Sequence, residues 1–265
     1  FFILRFVFGL TDYSMDIEDF EAFRIYYATR GAGVRQQTLN LTKDEKKAII
    51  DAIIKNYEPQ NRVYRYNYFY DNCTTRARDI LLDNINGTIR YRTRNKNSES
   101  YREMIHAYNE QQRWARFGKD LLLGIKADFP TDHAQQQFLP DNLRKDFDNA
   151  VIIDKDGGKR PLVSDSTWVV LPGIQPEWSG FPLSPTSCAI IFFVVVTAFS
   201  IYERCRMKML WGIDVLLMSL TGACGIILFA MVFSQHPTVS LNLQILLLNP
   251  CSLIFLYPTV RCLRR

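Results

Sequence analysis

Over the first 171 positions apolar residues recur in short patches, and the pattern changes after a run of prolines. Phe1–Leu10 is an apolar run broken by Arg5 that reads as a buried strand ending at Thr11-Asp12. Ser14–Thr29 is expected to be helical, with Asp16, Glu18 and Asp19 in an acid-rich first turn that suits the helix dipole. Val34–Leu41 alternates weakly and reads as an edge strand. Thr42 and Glu45 form a capping box ahead of the stripe Ile49, Ile50, Ile53, Ile54 and Tyr57, and Pro59 stops that helix. Val63–Tyr70 gathers aromatic and β-branched residues, as a strand does. Asp71-Asn72 breaks it with two turn- and cap-forming residues. Behind them Ala77, Ile80, Leu81 and Ile85 return at helical spacing. The expectation is strand, sharp turn, helix, with Cys73 on the first helical turn.

Asn86-Gly87 turns the chain, and Arg90–Glu99 reads as an exposed polar loop. Tyr101–Tyr108 restarts a helix with Tyr101, Met104, Ile105 and Tyr108 on one side and His106 off that stripe, facing water. Leu121–Gly124 is a short apolar run. Asp132–Phe147 is expected to be helical across Pro140, and Val151–Ile153 with Arg160–Val163 predicts a hairpin around Asp156-Gly157-Gly158.

Pro172, Pro176, Pro182 and Pro185 mark a stiff linker over 172–185, between a domain at 1–171 and a membrane part at 186–265. Three apolar segments follow, 186–202, 210–233 and 241–260, each of membrane-spanning length. Asp214 is the only charge in the second, and Asn249-Pro250 interrupts the third. Arg204, Arg206 and Lys208 lie between the first two, and Arg261, Arg264 and Arg265 follow the third. With three spans both clusters fall on one side, which the positive-inside rule makes cytoplasmic. The domain at 1–171 and the loop Ser234–Ser240 are then extracytoplasmic.

Charge narrows the partners. The net charge is +5, but six of the 32 basic and two of the 27 acidic residues lie beyond Pro185, leaving the first 185 residues at +1. That is no footprint for nucleic acid. There is no glycine-rich phosphate loop and no zinc-ligand spacing, so neither cofactor nor metal is expected. The opening run is neither a signal peptide nor a span, and it reads like the middle of a domain. The expectation is that further residues precede it.

Cys73 is the candidate reactive group. Unpaired N–H groups and the positive end of a helix dipole favour a thiolate over a thiol, and Arg76 one turn on adds to the effect. Locally the residue fits either a small buried hydrophobe or a nucleophile. Topology favours the second, because Cys188, Cys205, Cys224, Cys251 and Cys262 fall in the spans or on the cytoplasmic side. An oxidising compartment usually holds paired cysteines, and Cys73 has no partner within its domain. Asp71, Asn72 and Arg76 are the supporting candidates. Of the three histidines, His236 stands nearest the bilayer on the outer side and is a candidate; His133 opens a polar segment.

The stretch Arg62–Asp79, RVYRYNYFYDNCTTRARD, closely resembles the signature of the Lnb-type lipoprotein N-acyltransferases of the bacterial inner membrane. Phe6–Tyr13, Gln36–Thr42 and Ser234-x-His-Pro237 with Leu-Asn-Pro250 are similar too, so the resemblance covers nearly the whole chain. It implies an α+β, permuted papain-like extracytoplasmic (periplasmic) domain followed by membrane helices. It further implies transfer of a fatty acyl chain onto the N-terminal amine of diacylated lipoproteins through a Cys73 thioester, with membrane lipid as the medium. The family carries its histidine in a Gly-His pair ahead of the cysteine. No such pair precedes Cys73, and the base is expected upstream of Phe1. Two other classes remain open, a membrane-tethered papain-like peptidase or cell-wall amidase, and a non-catalytic membrane-bound binding domain.

Overall fold

Short polar side chains decide where most of the longer helices begin. The computed structural model describes residues 2–92, 98–174, 180–207 and 211–263. Phe1, residues 93–97 of the expected polar loop, Pro176 of the linker, Lys208, Leu210, Arg264 and Arg265 lie outside the described residues.

The chain opens with α1 (Phe2–Val7), β1 (Asp12–Ser14), α2 (Phe20–Thr29), β2 (Val34–Leu39), α3 (Lys43–Tyr57), β3 (Val63–Arg65) and α4 (Cys73–Asp83). It continues with β4 (Thr88–Tyr91), α5 (Tyr101–Ala107), α6 (Arg113–Leu122), α7 (His133–Gln136) and α8 (Pro140–Asp148). β5 (Ala150–Ile153), β6 (Lys159–Pro161) and β7 (Val163–Val170) complete the strands. Last come α9 (Pro185–Arg206), α10 (Trp211–Met231), α11 (Pro237–Ser240), α12 (Cys251–Ile254) and α13 (Leu256–Leu263). Two units result. One comprises Leu10–Glu99 and Pro130–Glu177; the other comprises Phe1–Gly9, Ser100–Phe129 and Trp178–Arg265.

The unit that carries Cys73 mixes helices with three small antiparallel sheets, β1-β3, β2-β7 and β4-β5-β6. Its core is Ile85, Phe147, Ala150, Ile152 and Leu162, with Leu39, Leu81, Leu82 and Leu143 packed against it. Burying Ile152 and Leu162 completely, both 0% exposed, contributes about 1.5–3 kcal/mol each. This anchors the C-terminal half of α4, while in its first turn Thr75 is buried and Cys73 stays exposed. The expected hairpin forms between β5 and β6, closed by Asp154 N–H donating to the Gly158 carbonyl at 2.9 Å, with Gly157 at φ 82°.

The capping box of α3 forms as the sequence predicts, and its glutamate does more than cap. Glu45 is fully buried and accepts from Thr42 N–H at 2.8 Å, Asn86 N–H at 2.9 Å and Arg160 Nη2 at 2.6 Å. One carboxylate thus ties the start of α3 to the turn after α4 and to β6. Burial works to raise its pKa, but those hydrogen bonds outweigh burial and hold it below the ordinary 4.5.

Several expected elements differ. Phe1–Leu10 is not a strand: Phe2–Val7 is helical, the Phe2 and Phe6 rings stack at 6.3 Å, and Gly9 ends the turn at φ 70°. So short an apolar run fits either period. Residues 12–14 pair with β3 instead of joining α2, which starts at Phe20 because Asp19 accepts from Glu21 and Ala22 N–H, each at 3.0 Å. The strand at Val63 stops at Arg65. Asn67 and Asp71 then exchange backbone hydrogen bonds at 2.9 Å, folding Tyr66–Tyr70 into a tight loop. Arg90 and Tyr91 belong to β4 rather than to a loop. Asp132–Phe147 is two helices, because Pro140 has no N–H to continue α7 and instead starts α8. The helix α6 was not anticipated.

In the other unit two helices, α9 of 22 residues and α10 of 21, are long and apolar enough to cross a membrane. The third expected span, 241–260, is not one helix: it holds a 3-10 turn at Leu243–Leu246, α12 and α13. Asn249 caps Cys251 N–H at 2.9 Å and Pro250 prevents continuation. That segment crosses α10 where two glycines remove side chains. A Cβ at Gly225 would stand 2.4 Å from Pro250 N, and one at Gly222 2.5 Å from the Leu253 side chain. Between α10 and this segment, Ser234–Asn242 folds onto residues of its own unit. Ser234 Oγ donates to the Val7 carbonyl at 2.9 Å, Gln235 N–H to Phe8 at 3.0 Å, and Gly124 N–H to Thr238 at 2.7 Å.

Candidate functional site: an exposed cysteine at a capped helix start

Asn72 builds the turn that presents Cys73. Its Oδ1 accepts from Thr74 and Thr75 N–H, both at 2.9 Å, and its own N–H donates to Thr75 Oγ1 at 2.9 Å. Arg76 N–H donates to the Asn72 carbonyl at 3.1 Å. Among the described residues the Cys73 N–H is the one left open at the head of α4. Asn72 Nδ2 donates to the carbonyls of Tyr68 and Phe138, both at 3.0 Å, so the buried amide locks the aromatic loop and the approach to α8 to one helix terminus. Cys73 itself is exposed and carries no disulfide.

Asp71 and Arg76 form a fork. Arg76 Nε and Nη2 donate to the two carboxylate oxygens at 2.7 and 2.9 Å, and the guanidinium lies 3.8 Å from the centre of the Tyr64 ring. The charge expected to favour a Cys73 thiolate is therefore largely engaged by Asp71. Three tyrosines cluster where β1 meets the chain that leads to α4. Tyr13 stacks on Tyr66 at 4.2 Å and stands tilted to Tyr64 at 6.5 Å. Burial pushes the Tyr66 phenol up to about 12, with negative charge at Cys73 adding, then Tyr13 and Tyr64. Tyr64 is raised by burial first and Cys73 next, against the lowering pull of Arg76. Both phenols keep their protons at neutral pH.

The three histidines occupy separate places. His133 opens α7, its Nε2 3.2 Å from Asp146 Oδ2 at ion-pair distance but outside hydrogen-bond geometry, its ring 4.8 Å from that of Tyr91. α7 meets α4 where Arg78 Nη1 donates to the Ala134 carbonyl at 2.9 Å, five residues or about 7 Å along the helix from Cys73. His106 and His236 lie in the other unit. His106 does not face water. Its Nε2 is 2.7 Å from Asp120 Oδ1, and Arg102 reaches the same oxygen at 3.0 Å and Asp128 at 2.6 Å. Burial would raise the Asp120 pKa, but His106 and Arg102 hold it below 3.8. His106 does lie off the apolar stripe of α5, but the expectation that it faces water fails because α6 supplies Asp120 against it. Trp114, Phe117 and Leu121, spaced three and four apart, were the signal for that helix. His236 is buried, 1% exposed, and donates Nε2–H to the Phe6 carbonyl at 2.9 Å.

Among the described residues no group of histidine, cysteine and carboxylate side chains is disposed to hold a metal ion. The site is that of a membrane protein with a thiol-bearing domain on the outer side. Comparison with known families agrees: residues 1–107 match the Lnb N-terminal periplasmic domain, and residues 176–265 match the Lnb transmembrane domain. The chain belongs to the Lnb family, and its N-terminal domain is extracytoplasmic. No curated protein and no solved structure matches it.

Proposed function

We propose that this protein is a membrane-anchored acyltransferase that moves a fatty acyl chain onto the N-terminal amine of diacylated lipoproteins. The observation that carries the reading is the exposed Cys73, with its own N–H open, at a helix start whose other N–H groups are taken by Asn72. In the first step the Cys73 thiolate attacks an ester carbonyl of the lipid. The S–C bond forms, the C–O bond breaks, and the leaving alcohol takes a proton. In the second the substrate amine attacks the thioester, a C–N bond forms, and the sulfur departs and regains its proton. The Cys73 N–H and the protonated phenols of Tyr64 and Tyr66 are donors suited to the developing oxyanion. Asn72 sets the turn, and the Asp71–Arg76 fork fixes Tyr64 beside it. The reading brings with it a permuted papain-like arrangement of the periplasmic domain and a histidine base for the thiol. Family membership and the anchor in the membrane, where both substrates reside, support it.

The test is to trap the thioester. The membrane-inserted protein is given a diacylated lipopeptide whose amine is blocked, so that an acyl group can be taken but not passed on. A hydroxylamine-sensitive fatty acyl adduct on the Cys73 peptide supports the reading. A peptidyl adduct, or none, overturns it in favour of a peptidase or amidase, or of a binding domain.

A further inference from the structure

The amphipathic helix α6 lies between the two matched stretches, in neither of them. Its apolar edge carries Trp114 and Phe117, 40% and 43% exposed, with rings edge to face at 6.0 Å. The Trp114 ring also meets Phe181 at 5.9 Å, and its Nε1–H donates to the Leu183 carbonyl at 2.8 Å. Leu183 immediately precedes Ser184, which caps the membrane helix α9 by accepting from Ser187 N–H at 3.0 Å. Phe181 and Leu183 are themselves 62% and 42% exposed. Four large apolar side chains thus form one uncovered patch, tied by a hydrogen bond to the residue before a span begins. The polar edge bears Arg113, Arg116 and Lys119, and the first turn holds no acid.

We infer that α6 is an interfacial helix that lies in the outer leaflet, with Trp114 and Phe117 among the upper acyl chains and Arg113 and Arg116 toward anionic headgroups. The occupant of the patch is phospholipid. Its position is fixed by α9: the Pro185 end of that helix is extracytoplasmic, and Arg204 and Arg206 stand at the other end. A residue hydrogen-bonded to the head of the span sits at headgroup level. Tryptophan with its N–H satisfied and its ring in apolar surroundings is the residue type most enriched there. In water the same patch would expose four large apolar side chains side by side; in the interface it is solvated by lipid. The inference does not depend on what Cys73 does.

A photoreactive benzoylphenylalanine is placed at Phe117 or at Ala115, two residues and about 200° apart around the helix. The whole protein is held in nanodiscs of phosphatidylethanolamine and phosphatidylglycerol. Lipid adducts at Phe117 are expected to exceed those at Ala115 by roughly five-fold or more. Replacing phosphatidylglycerol with phosphatidylcholine is expected to lower the Phe117 yield, and Arg113→Gln with Arg116→Gln to remove that dependence on lipid charge. Equal yields at the two positions, or adducts at Phe117 to protein instead of lipid, would overturn the inference. Retained Trp fluorescence and detergent solubility of each variant show that it has folded.

Discussion

Asn72 Nδ2 donates to the Phe138 carbonyl at 3.0 Å, a bond spanning 66 residues from the start of the Cys73 helix to the residue two before α8. The same side chain caps α4 with its oxygen, so one amide both opens the helix and fixes where it stands. Asn72→Ala removes the cap and leaves the carbonyls of Tyr68 and Phe138 without this donor, which should cost about 2–4 kcal/mol. Asn72→Asp is the sharper test. It preserves the cap but turns carboxylate oxygen toward two carbonyls. Thermal unfolding in detergent should show both variants several degrees less stable, and an Asp variant as stable as the parent would contradict the role given to Nδ2.

Glu45 holds together three segments that the sequence pattern treats as separate. Glu45→Gln takes from the Arg160 guanidinium, 16% exposed, its 2.6 Å carboxylate partner and leaves it the carboxylate of Asp154 at 3.4 Å. The expected loss is about 3 kcal/mol, partly recovered when Arg160→Met is added. Because the Glu45 pKa is held below 4.5, its contribution is complete above that pH and disappears as pH falls through the folded value. The stability difference between the parent and Glu45→Gln should therefore be constant above pH 4.5 and shrink as pH falls through the folded value. Identical relative acid sensitivity in parent and variant would show that this carboxylate is not the group titrating.

What the sequence made legible was local. Thr42 with Glu45, and Asn72 ahead of Cys73, announce helix starts by side-chain chemistry within a few residues, and both stand where expected. Asp156-Gly157-Gly158 announces its hairpin in the same way, closed by Asp154 N–H on the Gly158 carbonyl. What the pattern could not hold was identity set at a distance. Phe2–Val7 is too short for its period to choose helix over strand. Leu241–Val260 has the composition of a span, yet Pro250 and the bare backbone at Gly222 and Gly225 give it another course. His106 is not solvated because its partner Asp120 lies 14 residues on, in a helix whose signal, Trp114, Phe117 and Leu121, reaches the expected apolar run only at Leu121.

His236 gives a pH test in the membrane unit. Burial pulls its pKa below 6.5, and the hydrogen bond to the Phe6 carbonyl only partly offsets that. The neutral ring stabilises the fold fully above pH 6.5, and that contribution is lost as pH falls through the folded value. Amides of Gln235, Val239 and Ser240 should therefore hold their exchange protection above pH 6.5 and lose it progressively as pH falls below that, after correction for intrinsic rates. His236→Gln should flatten that dependence. Protection that is constant with pH in the parent would show that the ring does not titrate in this contact.

The most direct measurement is mass spectrometry of lipoprotein N-termini from cells carrying the whole protein or its Cys73→Ala variant at equal membrane levels. The account predicts N-acylated termini with the parent and a fall of roughly 100-fold or more, to free amines, with the variant. Equal N-acylation with Cys73→Ala would contradict it.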